Sequence, residues 1–116
     1  MRNDDATLLD LLKAARLALA FRGDATQEEF EGDAKTQSAV LHQLLLLGEG
    51  TKRLSEQFRT EHPQIPWRHI AGMRDKLVHK YDTVDIEEVW ATVERDLPAL
   101  LAFLESAAPR QRDPSA

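Results

Sequence analysis

The chain has 116 residues, no cysteine, 42% hydrophobic and 30% charged residues, and a formal net charge of −5. That length fits one domain whose core forms without disulfides or metals. The absence of cysteine excludes a disulfide framework, a thiolate nucleophile and a cysteine-based zinc site. No apolar run reaches the ~20 residues that span a bilayer, and the start Met1-Arg2-Asn3-Asp4-Asp5 is acidic where a secretory leader is basic and then apolar. The expectation is a cytoplasmic protein without a membrane partner. Taken whole, the negative charge also speaks against a nucleic-acid binder, because phosphate contact wants a basic surface.

Glycine and proline punctuate the chain, and helical periodicity fills the intervals. Leu8, Leu11, Leu12, Ala15 and Leu19 form one apolar stripe, with Asn3 or Asp4 as the expected cap. Thr26 followed by Glu29 reads as a capping box opening a short helix over 26–31. Asp33 is the expected cap of a third helix. Its seam of Val40, Leu44, Leu47, Thr51, Leu54 and Phe58 alternates spacings of four and three, which predicts one helix of about 25–30 residues. A fourth helix is expected from Pro66, burying Trp67, Ile70, Met73 and Leu77. A fifth is expected from Asp85, with Ile86, Val89, Trp90, Val93, Leu97, Leu100, Leu101 and Leu104 as its stripe and Pro98 bending it. Nothing alternates at period two. The expected fold is all-α, an up-down four-helix bundle with an additional short helix, in one domain over residues 1–108. Residues 109–116 are expected to be a flexible tail.

The charge is unevenly placed. Residues 1–51 carry −4, residues 52–80 carry +4 and residues 81–116 carry −5. The basic segment holds Lys52, Arg53, Arg59, Arg68, Arg74, Lys76 and Lys80, with His62, His69 and His79. It reads either as a solvated stretch or as a focused face for phosphate on an acidic body.

Within it, Met73-Arg74-Asp75-Lys76-Leu77-Val78-His79-Lys80-Tyr81 gathers most of the reactive groups. Arg74 offers a planar five-donor fork suited to phosphate oxygens. Histidine is the side chain that exchanges protons near neutral pH. Asp75 can orient a neighbouring guanidinium or imidazole, and Tyr81 places a phenol beside them. No serine stands beside a histidine, and no two histidines are spaced as a helical zinc pair. His42 reads as a helix-surface or interface residue, and His62 and His69 read as surface residues rather than ligands. Arginine with histidine and no metal ligand set fits RNA transesterification: a base frees the ribose 2′-hydroxyl and a cation stabilises the charge gathering on phosphorus. Arg74 and His79 lie five apart, about 140° around a straight helix. Either the helix ends near residue 79, or a second copy of the chain completes the site.

Arg74-x4-His79-x-Tyr81 resembles the signature of the HepT-like toxins of the HEPN ribonuclease superfamily. The likeness extends to Asp33-Ala-Lys-Thr-Gln, to Gly48-Glu49-Gly50-Thr51-Lys52-Arg53-Leu54, to His62-Pro63-Gln64-Ile65-Pro66-Trp67 and Ile70-Ala71-Gly72-Met73-Arg74-Asp75, and to Val89-Trp90 with Asp96-Leu97-Pro98. Gly50 departs from the alanine usual in the family, at a cost of ~1 kcal/mol in a helix interior. The resemblance implies a HEPN-like bundle that dimerises with itself, so that the Arg74 and His79 of both copies line one cleft. It implies a metal-independent ribonuclease, without a cofactor, acting as the toxin of a two-gene toxin–antitoxin module. The antitoxin partner would be a nucleotidyltransferase that silences the toxin by moving AMP from ATP onto Tyr81. Asp75 and Glu49 are then supporting candidates, and Lys52, Arg53, Lys76 and Lys80 candidate RNA contacts. The plainer readings are that Arg74 pairs with an acid of its own helix, that His79 faces a helix end, that Tyr81 is half-buried packing, and that Trp67 and Trp90 are core. The alternative function is a non-catalytic helical module that binds and regulates a nucleotidyltransferase.

Overall fold

The computed structural model describes residues 3–110, and among these it contains helices and turns but no strand. Helix α1 spans Asn3–Arg22, α2 Gln27–Glu31, α3 Ala34–Arg53, α4 Glu56–Glu61 and α5 Trp67–His79. A 3-10 turn over Tyr81–Thr83 leads into α6, Ile86–Ala91, which continues through a wide π-helical turn over Thr92–Asp96 into α7, Leu97–Ala107. Helix α3 is the centre of the bundle, packed against α1 on one side and α5 on the other, while α7 lies along α1. The expected all-α bundle is therefore the one observed.

The apolar stripes explain that packing. Leu8, Leu11, Leu12 and Ala15 of α1, Val40, Leu44 and Leu47 of α3, Ile70, Met73 and Leu77 of α5, and Val89, Val93, Leu97, Leu100 and Leu104 of the last helical run are all buried in one core. Each fully buried aliphatic side chain contributes ~1.5–3 kcal/mol relative to exposure. Trp67 is buried and Trp90 is partly buried against Phe30, with ring centroids 5.5 Å apart. Helix α1 stops at Gly23, whose φ of 57° reverses the chain without a Cβ penalty.

The caps at Thr26 and Asp33 form as expected. Thr26 and Glu29 exchange side-chain and backbone hydrogen bonds, and Asp33 accepts from the Thr36 amide at 3.1 Å. These contacts hold the Glu29 and Asp33 carboxyls below the usual carboxylate range, through hydrogen bonds from Thr26 and Thr36 respectively.

Three expectations need correction. The third helix does not run to Phe58: it ends at Arg53, and a new helix begins after Ser55. Ser55 accepts from the Phe58 amide at 3.1 Å, while its own amide and hydroxyl donate to Asp4 at 2.9 and 2.7 Å. Asp4 is thus no cap for α1; it is a buried carboxylate inside α1 that fixes the break between α3 and α4. The other proposed cap rests on the side chain of Asn3, which lies outside the described residues. The seam persists because Leu54 and Phe58 stay buried across the break. At Pro98 the chain widens: the Leu97 amide donates to Thr92, five residues back. That gives room to the proline ring and absorbs its missing donor. His62 is more than a surface residue, since its ring packs 4.5 Å from Phe58 and 5.0 Å from Phe103. The expected tail falls mostly on residues 111–116, outside the described residues; Ala108–Arg110 follow α7 without helix.

Candidate active site

Helix α5 carries the site, and its contact with α3 decides where Arg74 points. A Cβ built on Gly48 would sit 2.1 Å from the Arg74 Cβ and 3.1 Å from the Ile70 carbonyl oxygen. Only glycine allows the two helices this close. The approach sets the Arg74 guanidinium between two carboxylates: Nη1 is 3.2 Å from Asp75 Oδ1 and Nη2 is 3.8 Å from Glu49 Oε1. The Arg74 Nε is buried without a hydrogen-bond partner. Lys52 Nζ reaches the same Asp75 oxygen at 2.5 Å. A chain of charges thus runs Lys52–Asp75–Arg74–Glu49. The hydrogen bonds from Lys52 and then Arg74 hold the Asp75 carboxyl below the usual carboxylate range. Gly50, on another face of α3, meets α1 instead: a methyl placed on it would lie 2.6 Å from Leu11 Cδ2.

The far end of α5 is arranged differently. His79 is its last residue and Lys80 leaves the helical conformation. His79 and Lys80 are exposed, and among the described residues neither side chain has a hydrogen bond or ion pair. Tyr81 follows in the 3-10 turn with 56% of its surface exposed, and among the described residues its phenol has no hydrogen-bond partner. His79 and Lys80 border a cleft of about 360 Å³ whose apolar wall is Met73, Leu77 and Val84. Across it Lys76 Nζ is 3.1 Å from Glu88 Oε1, tying α5 to α6.

The sequence candidates therefore separate into two groups. Ion pairs join Arg74, Asp75, Glu49 and Lys52, whereas His79, Lys80 and Tyr81 lie at the helix end outside that network, with Asp75 and His79 bordering the same cleft. No hydrogen bond or ion pair joins Arg74 or Asp75 to His79 among the described residues. Asp75 orients the guanidinium, not the imidazole. Arg53 is drawn away to Asp10, 3.5 Å from Nη2. His69 faces Asp96, with Nε2 3.6 Å from Oδ2, and His42 is exposed. Among the described residues no three His, Asp or Glu side chains converge as a metal-ligand set, and no helix is long and apolar enough to cross a membrane.

The sequence pattern of the family described as Ribonuclease HepT-like matches residues 11–107. A probable ribonuclease HepT of Thermococcus cleftensis is 43% identical over 98 residues, covering 84% of this chain and 89% of that protein. Two putative RNases of Methanocaldococcus jannaschii are 40% identical over 93 residues and 31% identical over 104 residues. The first covers 80% of this chain and 77% of the relative, the second 90% and 95%. No solved structure gives a significant match.

Proposed function

We propose, since this chain belongs to the HepT-like ribonuclease family, that it cuts RNA by transesterification with Arg74 and His79 and is the toxin of a toxin–antitoxin pair. The observation that carries the reading is the pairing, on one helix, of a clamped cation with a free imidazole at the edge of a cleft. Two copies related by a two-fold axis would bring both histidines and both arginines to one RNA strand.

The chemistry then balances without a metal. One copy of His79 takes the proton of a ribose 2′-hydroxyl, whose oxygen attacks the adjoining phosphorus. The bond from phosphorus to the 5′-oxygen breaks, and the second His79 returns a proton to that oxygen. The products are a 2′,3′-cyclic phosphate and a 5′-hydroxyl. Arg74 stabilises the equatorial oxygens as their charge rises, and its carboxylate neighbours fix its plane beforehand.

Tyr81 is the silencing site. A nucleotidyltransferase antitoxin would let the phenol oxygen attack the α-phosphorus of ATP, releasing pyrophosphate and leaving AMP on the tyrosine. The exposure of Tyr81, two residues from His79, supports this: an added phosphate and adenosine there would crowd the RNA path.

The test is incubation of purified protein with total RNA in EDTA, alongside His79→Ala. Cleavage by the parent, ending in cyclic phosphate and absent from the variant, is expected. If the purified protein binds a nucleotidyltransferase tightly but leaves RNA intact, the non-catalytic module is the correct reading. Mass spectrometry after co-expression with the antitoxin should show mass added in AMP steps, lost in Tyr81→Phe.

A further inference from the structure

Beside the His79 cleft, Lys52, Arg59 and Arg68 border a second groove of about 580 Å³. Its carboxylates are Glu56 and Asp75. Asp75 is already spanned by Lys52 and Arg74. Among the described residues neither Arg59 nor Arg68 has a carboxylate partner, although ion pairs engage Arg16, Arg22, Arg53, Arg74 and Arg95. The Arg59 Nε is buried with no hydrogen-bond partner. Gly72 lines the groove, and a Cβ placed there would meet nothing within 4 Å. The groove therefore offers unneutralised guanidinium groups beside a stretch of helix with no side chain.

Asp75 borders both this groove and the His79 cleft, so the two meet at a ridge at Asp75, whose carboxylate Arg74 Nη1 contacts at 3.2 Å. A strand whose cut phosphate sits at Arg74 would leave that ridge directly into the groove. We infer that the Lys52–Arg59–Arg68 groove is a substrate-positioning site that holds phosphates of the RNA strand flanking the cut. The inference rests on the ribonuclease reading above. It assigns Arg59 and Arg68 to RNA, and it makes strand length a determinant of the reaction. Arginine suits this role because its fork grips successive phosphate oxygens, and the acidic remainder of the chain repels strands from other faces. The open surface at Gly72 lets the sugar-phosphate backbone approach the helix.

Binding separates this proposal from the catalytic one. In a His79→Ala background, which cannot cut if that reading holds, fluorescence anisotropy would measure a single-stranded oligonucleotide of about twelve nucleotides and a dinucleotide. Arg68→Ala, exposed and without a partner, should weaken the longer strand about five- to tenfold and flatten its log–log salt dependence by about 0.7. Gly72→Leu should weaken it comparably by filling the groove, with no fall in thermal midpoint, since leucine favours the helix that glycine weakens. Lys35→Ala, on an exposed turn of α3, should change nothing. The dinucleotide should bind all variants alike. Equal affinity of Arg68→Ala, Gly72→Leu and the parent for the longer strand overturns the proposal. So does a loss seen equally with ATP, which would make the groove a site for free nucleotide phosphates, or a loss confined to binding of the nucleotidyltransferase. Absence of RNA cleavage by the unmutated protein sinks the catalytic reading while the binding series still judges the groove.

Discussion

The middle and the C-terminal end of α5 differ in how their side chains are held. At the middle of the helix Arg74 is locked by Gly48, Glu49 and Asp75, with Lys52 steadying Asp75. At the end, His79, Lys80 and Tyr81 make no side-chain contact with a polar partner in the described residues and are open to solvent. The difference fits the division of labour proposed above. A group that stabilises charge gains from being fixed before the reaction, because reorientation costs free energy at the moment of need. A group that moves protons, or that an antitoxin must modify, has to be reached.

Four substitutions break or sharpen this contrast. The largest effect is expected at the free end: His79→Ala should lower RNA cleavage by ~10²–10⁴-fold with no change in thermal midpoint, since the exposed side chain holds no polar partner. A fall in midpoint alongside the activity would mean that His79 is structural. At the locked middle, Gly48→Ala should do the reverse first. Its methyl meets the Arg74 Cβ, an atom no rotamer can move, so α3 and α5 must separate. Stability measured by urea titration should fall by about 1–3 kcal/mol, and cleavage should fall with it as Arg74 shifts.

Asp75→Asn is a subtler cut. The folded Asp75 carboxyl titrates below its unfolded value, so its contribution to stability is present above the ordinary carboxylate range near pH ~4 and is lost as pH falls through the folded value. The variant should therefore lose stability near neutral pH and show a shallower decline on acidification than the parent, read as thermal midpoint against pH. Part of the decline should remain, because Glu29 and Asp33 are depressed in the same direction. The smallest effect belongs to Tyr81→Phe. Stability should stay within about 0.5 kcal/mol and cleavage should persist, while the antitoxin no longer reverses growth arrest. If the antitoxin still silences Tyr81→Phe, modification lies elsewhere.

Much of the fold was legible from periodicity, and the reason shows at particular residues. Every position of the α3 seam from Val40 to Phe58 is buried as its spacing predicts. The break at Ser55 was not legible there, because burial continues across it. The break depends on Asp4, fifty-one residues away, accepting both Ser55 donors. The motif singled out Arg74, His79 and Tyr81, and Glu49 was already a candidate. Yet the order Lys52–Asp75–Arg74–Glu49 needs α3 laid against α5 at Gly48. Arg59 and Arg68 were visible only as members of a basic segment. What marks them is that, among the described residues, no carboxylate pairs with them, and which acids pair is a property of packing.

The sequence by itself determined most of the helices, their buried faces, the family and the local reversal of charge from −5 overall to +4 over residues 52–80. These follow from short-range chemistry: side-chain period, caps, and the type and spacing of reactive groups. Only the tertiary structure decided which of those charges are spent on one another. It ties Lys52, Arg53, Arg74 and Lys76 to carboxylates of other segments or of α5 itself and, among the described residues, leaves Arg59, Arg68, His79 and Lys80 without one. Coulomb attraction between side chains acts over a few ångströms, and the distances that matter were set by how closely two glycine-relieved helices could pack.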